Sequence, residues 1–359
     1  MKKNQLSQLV YTLFISILSF SFMACGGDGN VVTVDKDGNA SGGHRFEAID
    51  EDNYFVDGVR YAFQDGTLCV SGYELDFQGE AKIISALDYN GRRMDVKSIG
   101  EGAFYECIGM TAVSIPESVT SIGSLAFSYC SGLTAVAIPE GVTSIEDNAF
   151  SYCSELTTVT IPESVTSIGV WAFAECYGLT SITIPKSVTS IGEGAFFGCI
   201  GLTNIAVAEG NTCYDSRNEC NAIIETATNT LIAGCMKTAI PESVTGIGVW
   251  AFAECSDLTS IAIPEGVTSI GDRAFSDCVG LTSMTLPAGV TSIGEGAFAA
   301  CEELKDFYCN ATEVPSTDPS AFELTPTSDA TLHVPASAVE AYKSDEIWGQ
   351  FGTIKPIAE

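Results

Sequence analysis

A β-rich solenoid is the fold the sequence predicts, and three observations predict it. A stretch typified by residues 121–143, SIGSLAFSYCSGLTAVAIPEGVT, recurs along the chain. Pro116, Pro139, Pro162 and Pro185 stand 23 apart, as do Phe104, Phe127, Phe150, Phe173 and Phe196. After an interruption the same beat resumes with Pro241, Pro264 and Pro287, and with Phe252, Phe275 and Phe298. A fixed period of this size marks repeats that cannot bury their apolar side alone and must stack.

Each part of the unit has a physical reading. Leu133-Thr134-Ala135-Val136-Ala137-Ile138 alternates apolar with small or polar residues, which is strand periodicity, and its apolar positions follow the L-x-x-L-x-L spacing of leucine-rich repeats. Val136 and Ile138 are expected to point inward and Ala135 and Ala137 outward. Pro139 ends the strand because it has no N–H for the next rung. Val142-Thr143-Ser144-Ile145 reads as a second short strand. The Gly that follows in most units, as in Ile122-Gly123 and Ile168-Gly169, suits a turn with positive φ. Ala126-Phe127-x-x-Cys130-x-x-Leu133 spaces its apolar residues by three and four, as a short helical turn would. Stacking at ~4.8 Å per rung, roughly nine coils make a rod or shallow arc about 40 Å long. Identical side chains then stand in columns of Phe, Cys, Ile and Thr/Ser.

The flanks differ. Residues 1–24 read as an export signal: Lys2 and Lys3, then an apolar run from Leu9 to Phe22, too short for a confident membrane span. The run ends at Phe22-Met23-Ala24-Cys25, which resembles a bacterial lipobox; that resemblance implies a lipid on Cys25. An ordinary signal peptide with an incidental Cys is the alternative. Residues 25–45, rich in Gly, Asp and Asn, read as a flexible tether. Residues 46–97 lack the repeat but offer short strands, with a hairpin signal at Asp57-Gly58, and read as a β cap. The solenoid is placed at 98–310, with an enlarged coil at 202–234 carrying ten extra residues. In that coil Ala222-Ile223-Ile224 and Leu231-Ile232-Ala233 flank a turn and suggest a protruding hairpin. Residues 311–359 read as a C-terminal cap, with a strand at Thr331-Leu332-His333-Val334-Pro335, a short helix from Ser337 to Lys343, and Tyr342, Trp348 and Phe351 as core anchors.

Composition narrows the function. The chain of 359 residues carries a formal charge of −30, which argues against nucleic acid and against adsorption to anionic membranes. With 46% hydrophobic and only 17% charged residues it is not a disordered acidic chain. Glu117, Glu140, Glu163, Glu242 and Glu265 each follow a coil Pro and read as a solvated stripe. The two histidines, His44 and His333, stand beside no nucleophile motif, and no phosphate loop, H-E-x-x-H or calcium-loop spacing occurs. No enzyme, cofactor or metal is expected. Eight cysteines form a column: Cys107, Cys130, Cys153, Cys176, Cys199, Cys255, Cys278 and Cys301. Buried free thiols are the favoured reading, a disulfide framework the other, with Cys213, Cys220 and Cys235 better placed for a bridge.

Ile161-Pro162-Glu163-Ser164-Val165-Thr166-Ser167-Ile168-Gly169, followed by Ala172-Phe173, Cys176 and Leu179-Thr180, closely resembles the BspA-like (treponemal-type) leucine-rich repeat. The resemblance covers about 98–310, and the tail with Tyr342 and Trp348 looks like that family's terminal cap. It implies a β-rich leucine-rich-repeat solenoid of 23-residue coils, with short helical turns on the back and N- and C-terminal caps. It also implies a bacterial cell-envelope protein, here an outer-membrane lipoprotein exposed at the surface, without catalytic residues. The implied role is adhesin-like binding of an extracellular protein, host matrix or another surface protein, with the membrane touched only through Cys25. A glycan-binding lipoprotein and a passive spacer are the alternatives. Expected partner-binding residues are Tyr214, Asp215 and Arg217 in the enlarged coil, and Trp171 and Trp250, each just before Ala-Phe.

Overall fold

The computed structural model describes residues 31–357. The expected signal segment and the lipid site at Cys25 lie outside the described residues. The chain winds into about 11 coils with little helix. The count exceeds nine because the flanking sections join the stack. Thr67–Tyr73 runs parallel to Arg92–Ile99 ahead of the first full repeat. Thr331–Val334 and Thr353–Pro356 continue the ladder after the last one.

Register is kept coil to coil, so like meets like. Ala135, Val136 and Ala137 pair in parallel with Thr158, Val159 and Thr160, and Ser144 and Ile145 with Ser167 and Ile168. Val136 and Ile138 are buried and Ala137 is exposed, as the alternation requires. The second strand is only two residues long, Ser144–Ile145, rather than the four expected. The Phe column stacks ring on ring on each side of the enlarged coil: Phe104, Phe127 and Phe150 are 5.2 Å apart ring to ring and within 7° of parallel. It extends beyond residue 310, since Phe322 stacks on Phe298 at 5.6 Å.

Two local expectations are corrected. The back of the coil is not a helical turn but a run of hydrogen-bonded turns. Each regular coil holds two residues there at positive φ, such as Asn148 (56°) and Tyr152 (59°). These break helical propagation and aim alternate amides at the next coil: Phe150 N–H donates to Ala172 O (2.8 Å) and Tyr152 N–H to Ala174 O (2.7 Å). The apolar spacing of three and four is therefore that of a tight loop folded over its own core. The glycines after Ile, by contrast, are not at positive φ. They are required by close approach. A Cβ on Gly169 would stand 2.6 Å from the Asp147 amide nitrogen, and one on Gly192 2.4 Å from that of Val170.

The N-terminal section forms the hairpin Asn53–Val56 with Val59–Gln64, closed by Asp57 and Gly58 at φ 50° and 83°. The expected tether is shorter than placed. Val31–Thr33 pairs in parallel with Ala86–Tyr89, and Val32 is fully buried, so the stretch from residue 31 belongs to the cap. At the other end a helix spans Val339–Ser344 and buries Tyr342, while Trp348 and Phe351 close over Phe307 and Phe322. Those aromatics are the core of the C-terminal section.

Buried apolar residues fall into two clusters that meet at the enlarged coil. Its hairpin, Ile223–Glu225 with Thr230–Ala233, works as a partition. Ile223 faces the N-terminal cluster and Ile224 the C-terminal one, as strand alternation dictates.

Candidate binding surface at the interrupted coil

The hairpin expected at 222–233 is present, but it does not present the expected anchors. Tyr214 is buried, and its hydroxyl accepts the Ile191 N–H at 3.0 Å, standing in for a strand bond where the short-strand ladder changes sheets. Arg217 grips Asp215 through Nε (2.8 Å) and Nη2 (2.7 Å), and its Nη1 donates to Asn229 and Ser243. These two half-buried side chains brace the hairpin against the following coil. Trp171 and Trp250 come together although 79 positions separate them. Their rings are 5.3 Å apart, Phe197 wedges against both, and the Arg273 guanidinium covers Trp250 at 5.0 Å. They are partly buried packing rather than open platforms.

The meeting of the two tryptophans shows what the enlarged coil lacks. It has strands but no Ala-Phe turn at the back. Gly234 stands where that turn would begin, against the Phe252 ring. On the N-terminal side the turn ladder ends at the coil 192–200. Among the described residues, the amides of Gly194, Phe196 and Gly198 meet no carbonyl of a following coil. The ladder resumes with Trp250, Phe252 and Glu254, which donate to Asp272, Ala274 and Ser276. Between the two edges lies a cavity of about 250 Å³, lined by Phe196, Phe197, Ile200, Trp250, Phe252 and Cys255 among others.

The residue just before each column Cys is the other feature sequence reading passed over. In order these are Glu106, Tyr129, Tyr152, Glu175, Gly198, Glu254, Asp277 and Ala300, all at positive φ. The missing turn leaves Glu175 and Glu254 as the acids flanking Gly198. A Cβ on Gly198 would stand 2.9 Å from Glu254 Oε2 and 3.2 Å from Glu175 Oε2, so both oxygens border the space that glycine leaves. Glu175 is only 6% exposed, and its Oε2 has no hydrogen-bond partner. Burial first, then the charges of Glu175 and Asp277, push the Glu254 carboxyl up to about 7. The Glu175 carboxylate, hydrogen-bonded to Tyr177, with burial adding to it, pushes the Tyr177 hydroxyl well above its ordinary value. Aligning the repeats on Cys would have shown the two acids and the single Gly.

Beside this pair runs a row of exposed rings. Tyr105, Tyr129, Tyr152 and Tyr177 are each between 37% and 42% exposed. Tyr129 and Tyr152 stack at 4.3 Å and 4°, and Tyr105 meets Tyr129 edge-on. The glutamates after the coil prolines are exposed, as expected of a solvated stripe. The front-face threonines bond to the preceding coil, Thr157 Oγ1 donating to Thr134 O at 3.0 Å.

The column cysteines are free thiols, as are the other cysteines among the described residues, including Cys213, Cys220 and Cys235. The column has a polar reason besides packing. Cys130, Cys153, Cys176 and Cys199 each donate S–H to the Phe carbonyl of the preceding coil at 3.1–3.2 Å. Burial pushes Cys107 up to about 11 and Cys301 up to about 12, so these thiols stay protonated and unreactive. His44 pairs with Asp57 and His333 with Asp306. Among the described residues no group of three His, Cys, Asp or Glu is placed to hold a metal ion, and no helix is long and apolar enough to cross a membrane.

Comparison with known proteins agrees with the repeat. The BspA type leucine rich repeat region matches residues 95–218 and 233–342 in six copies. A leucine-rich repeat protein from Bacteroides ovatus is 28% identical, with a TM-score of 0.61 over 84% of this chain and 76% of its own. A leucine rich cell surface protein from Faecalibacterium prausnitzii is 27% identical, with a TM-score of 0.57 over 87% of this chain and 97% of its own. The pneumococcal vaccine antigen PcpA, at 18% identity and a TM-score of 0.55 over 84% of this chain and 97% of its own, shares the fold. No curated protein matches. Proteins of this repeat type are commonly bacterial surface proteins and generally non-catalytic scaffolds. The chain belongs to the BspA-type leucine-rich repeat family.

Proposed function

We propose that this protein is a non-enzymatic cell-surface lipoprotein, anchored through Cys25, whose solenoid is a protein-binding module of the adhesin kind. The observation that carries the reading is the tyrosine row. Four aromatic side chains stand exposed on consecutive rungs of a rigid ladder, and aromatic residues on a preorganised surface are the usual anchors of protein interfaces. A regular solenoid fixes their spacing, so little ordering cost accompanies binding.

Binding of the unlipidated mature chain to immobilised extracellular matrix proteins tests this reading. The Tyr129→Ala/Tyr152→Ala double variant is expected to lose at least tenfold in affinity while keeping its melting midpoint within a few degrees. Equal binding by the double variant rules out the tyrosine row. The flat exposed side of the Tyr129–Tyr152 stack favours one second reading, a glycan platform, and a glycan array distinguishes the two. Anchoring is tested separately. Cys25→Ala is expected to move the protein from the membrane to the soluble fraction and to remove an acyl mass from the mature N-terminus. Unchanged fractionation with an unmodified Cys25 defeats the lipoprotein assignment.

A further inference from the structure

We propose that the gap around Gly198 is a seat for a basic side chain of the protein partner, with Glu175 and Glu254 taking its cationic head and the adjoining cavity its apolar stem. The inference rests on the protein-binding reading above and gives that partner a chemistry.

Four observations support it. First, Glu175 is buried with a free Oε2, and among the described residues no Lys or Arg pairs with it or with Glu254; the nearby Arg273 is engaged by Glu295 at 2.9 Å. A buried carboxylate without a counter-charge is costly, and a second acid beside it raises the cost. Second, the two oxygens border one space, left by the only Gly among these eight positions. Third, the chain neighbours of that space line the cavity. Phe197 and Cys199, on either side of Gly198, line it, as do Ala253 and Cys255 on either side of Glu254. Fourth, Tyr152 and Tyr177 stand close enough to feel the charge of both acids, which places aromatic rings around the head.

A metal ion fits less well. The described residues offer no third His, Cys, Asp or Glu ligand, and a metal has no use for the apolar chamber alongside. A lysine or arginine side chain uses both parts, since its methylenes cover apolar surface while its head stays with acceptors. In the free molecule the raised Glu254 carboxyl relieves the repulsion by holding a proton for part of the time at neutral pH. A bound cation replaces that proton.

The test titrates the mature chain with Nα-acetyl-lysine-N-methylamide at pH 8, above the raised value of Glu254, following tryptophan fluorescence. Nα-acetyl-norleucine-N-methylamide, equal in stem but uncharged, is the control. Saturable binding of the lysine probe is expected, with at least a tenfold preference over the control and at least a tenfold loss in Glu175→Gln/Glu254→Gln. Gly198→Ala keeps both charges and fills the space. Its fold is expected to survive, because Ala300 occupies the same position at φ 52°, and its probe binding to fall as far. Retained probe binding in folded Gly198→Ala, equal binding of the norleucine probe, or no saturable signal overturns the seat. So does a calcium titration that competes the lysine probe away stoichiometrically, which makes the pair a metal site. A wild type that binds its matrix partner but not the probe overturns the seat alone and leaves the protein-binding reading in place.

Discussion

Phe173→Ala tests whether the aromatic column is the core of the stack. The Phe173 ring is wholly buried, with Phe150 at 5.4 Å and 4° on one side and Phe196 at 5.7 Å and 2° on the other. Truncating a buried Phe to Ala costs about 3–5 kcal/mol, the larger values arising where the site cannot collapse. Here collapse is blocked. Each neighbour is held by its own turn, and the turns are tied together, Phe150 N–H to Ala172 O and Phe173 N–H to Ala195 O, both 2.8 Å. The void persists at the ladder spacing, and about 4 kcal/mol is expected. Because the core divides at the enlarged coil, the loss falls on the N-terminal cluster, where it corresponds to roughly 8–15 °C in that block's midpoint. Tyr152→Ala is the control: it also removes one ring from a stack, but a ring 37% exposed, and about 1 kcal/mol is expected. Urea and thermal melts of both variants supply the measurement. A Phe173→Ala shift no larger than that of Tyr152→Ala refutes the reasoning, since it means the column is not what binds coil to coil.

Three further outcomes follow from the same geometry. Gly192→Ala, whose Cβ would stand 2.4 Å from the Val170 nitrogen, is expected to destabilise by about 2–3 kcal/mol through forced separation of two coils; a neutral melt shows that the rungs can part freely. Glu254 has its folded-state carboxyl raised, so the folded chain holds the proton more tightly, and the contribution from this group falls as pH rises from about 4.5 to about 7; after discounting for solvent access, wild type measured against Glu254→Gln should lose about 1 kcal/mol across that window, and no difference between the two pH profiles contradicts the assignment. Non-reducing mass mapping after alkylation in denaturant is expected to label the column cysteines fully, whereas a set of column disulfides refutes the S–H to carbonyl bonding.

Much of the fold was legible because a repeat makes its own argument. Period, strand alternation and the terminating Pro are set within one coil, and stacking multiplies each signal. The turn reads as helical in sequence because apolar spacing of three and four reports which side chains are inward, not how the amides are bonded. Only the structure shows amides such as those of Phe150 and Tyr152 aimed across coils, with Asn148 and Tyr152 at positive φ. Gly123 and Gly169 were misassigned for a related reason: a sequence cannot distinguish a glycine needed for its φ from one needed for close approach to the preceding rung. The site was the least legible part. Trp171 and Trp250 were singled out, but that they touch depends on the enlarged coil having no back turn, and absence of a turn is invisible unless the repeats are aligned column by column. Tyr214, Asp215 and Arg217 look like recognition residues in sequence because they are polar or aromatic and irregular. In the structure they close hydrogen bonds that irregular chain would otherwise leave open.

That reversal yields a prediction that separates the hairpin from the gap as the functional consequence of the enlarged coil. The tip of the hairpin is exposed at Ala227 and Thr228, whereas its strands bury Ile223, Ile224, Leu231 and Ala233 and Thr228 Oγ1 donates to Glu225. Exchanging Ala227-Thr228 for Gly-Ser changes the exposed tip and leaves the partition, the cavity and the acid pair alone, so partner and lysine-probe binding are both expected to stay within about twofold, about 0.4 kcal/mol. Replacing the enlarged coil with a regular 23-residue unit does the opposite. It adds an Ala-Phe-x-x-Cys turn behind Gly198, engages the amides of Gly194, Phe196 and Gly198, and inserts a rung between Glu175 and Glu254. Folding should gain, because the Phe column becomes continuous and the cavity fills, yet lysine-probe binding should vanish. Should the tip exchange abolish partner binding while the regularised chain keeps its probe affinity, the hairpin is the recognition element and the gap only its by-product. The opposite result makes the enlarged coil a spacer whose role is to withhold one turn from the stack.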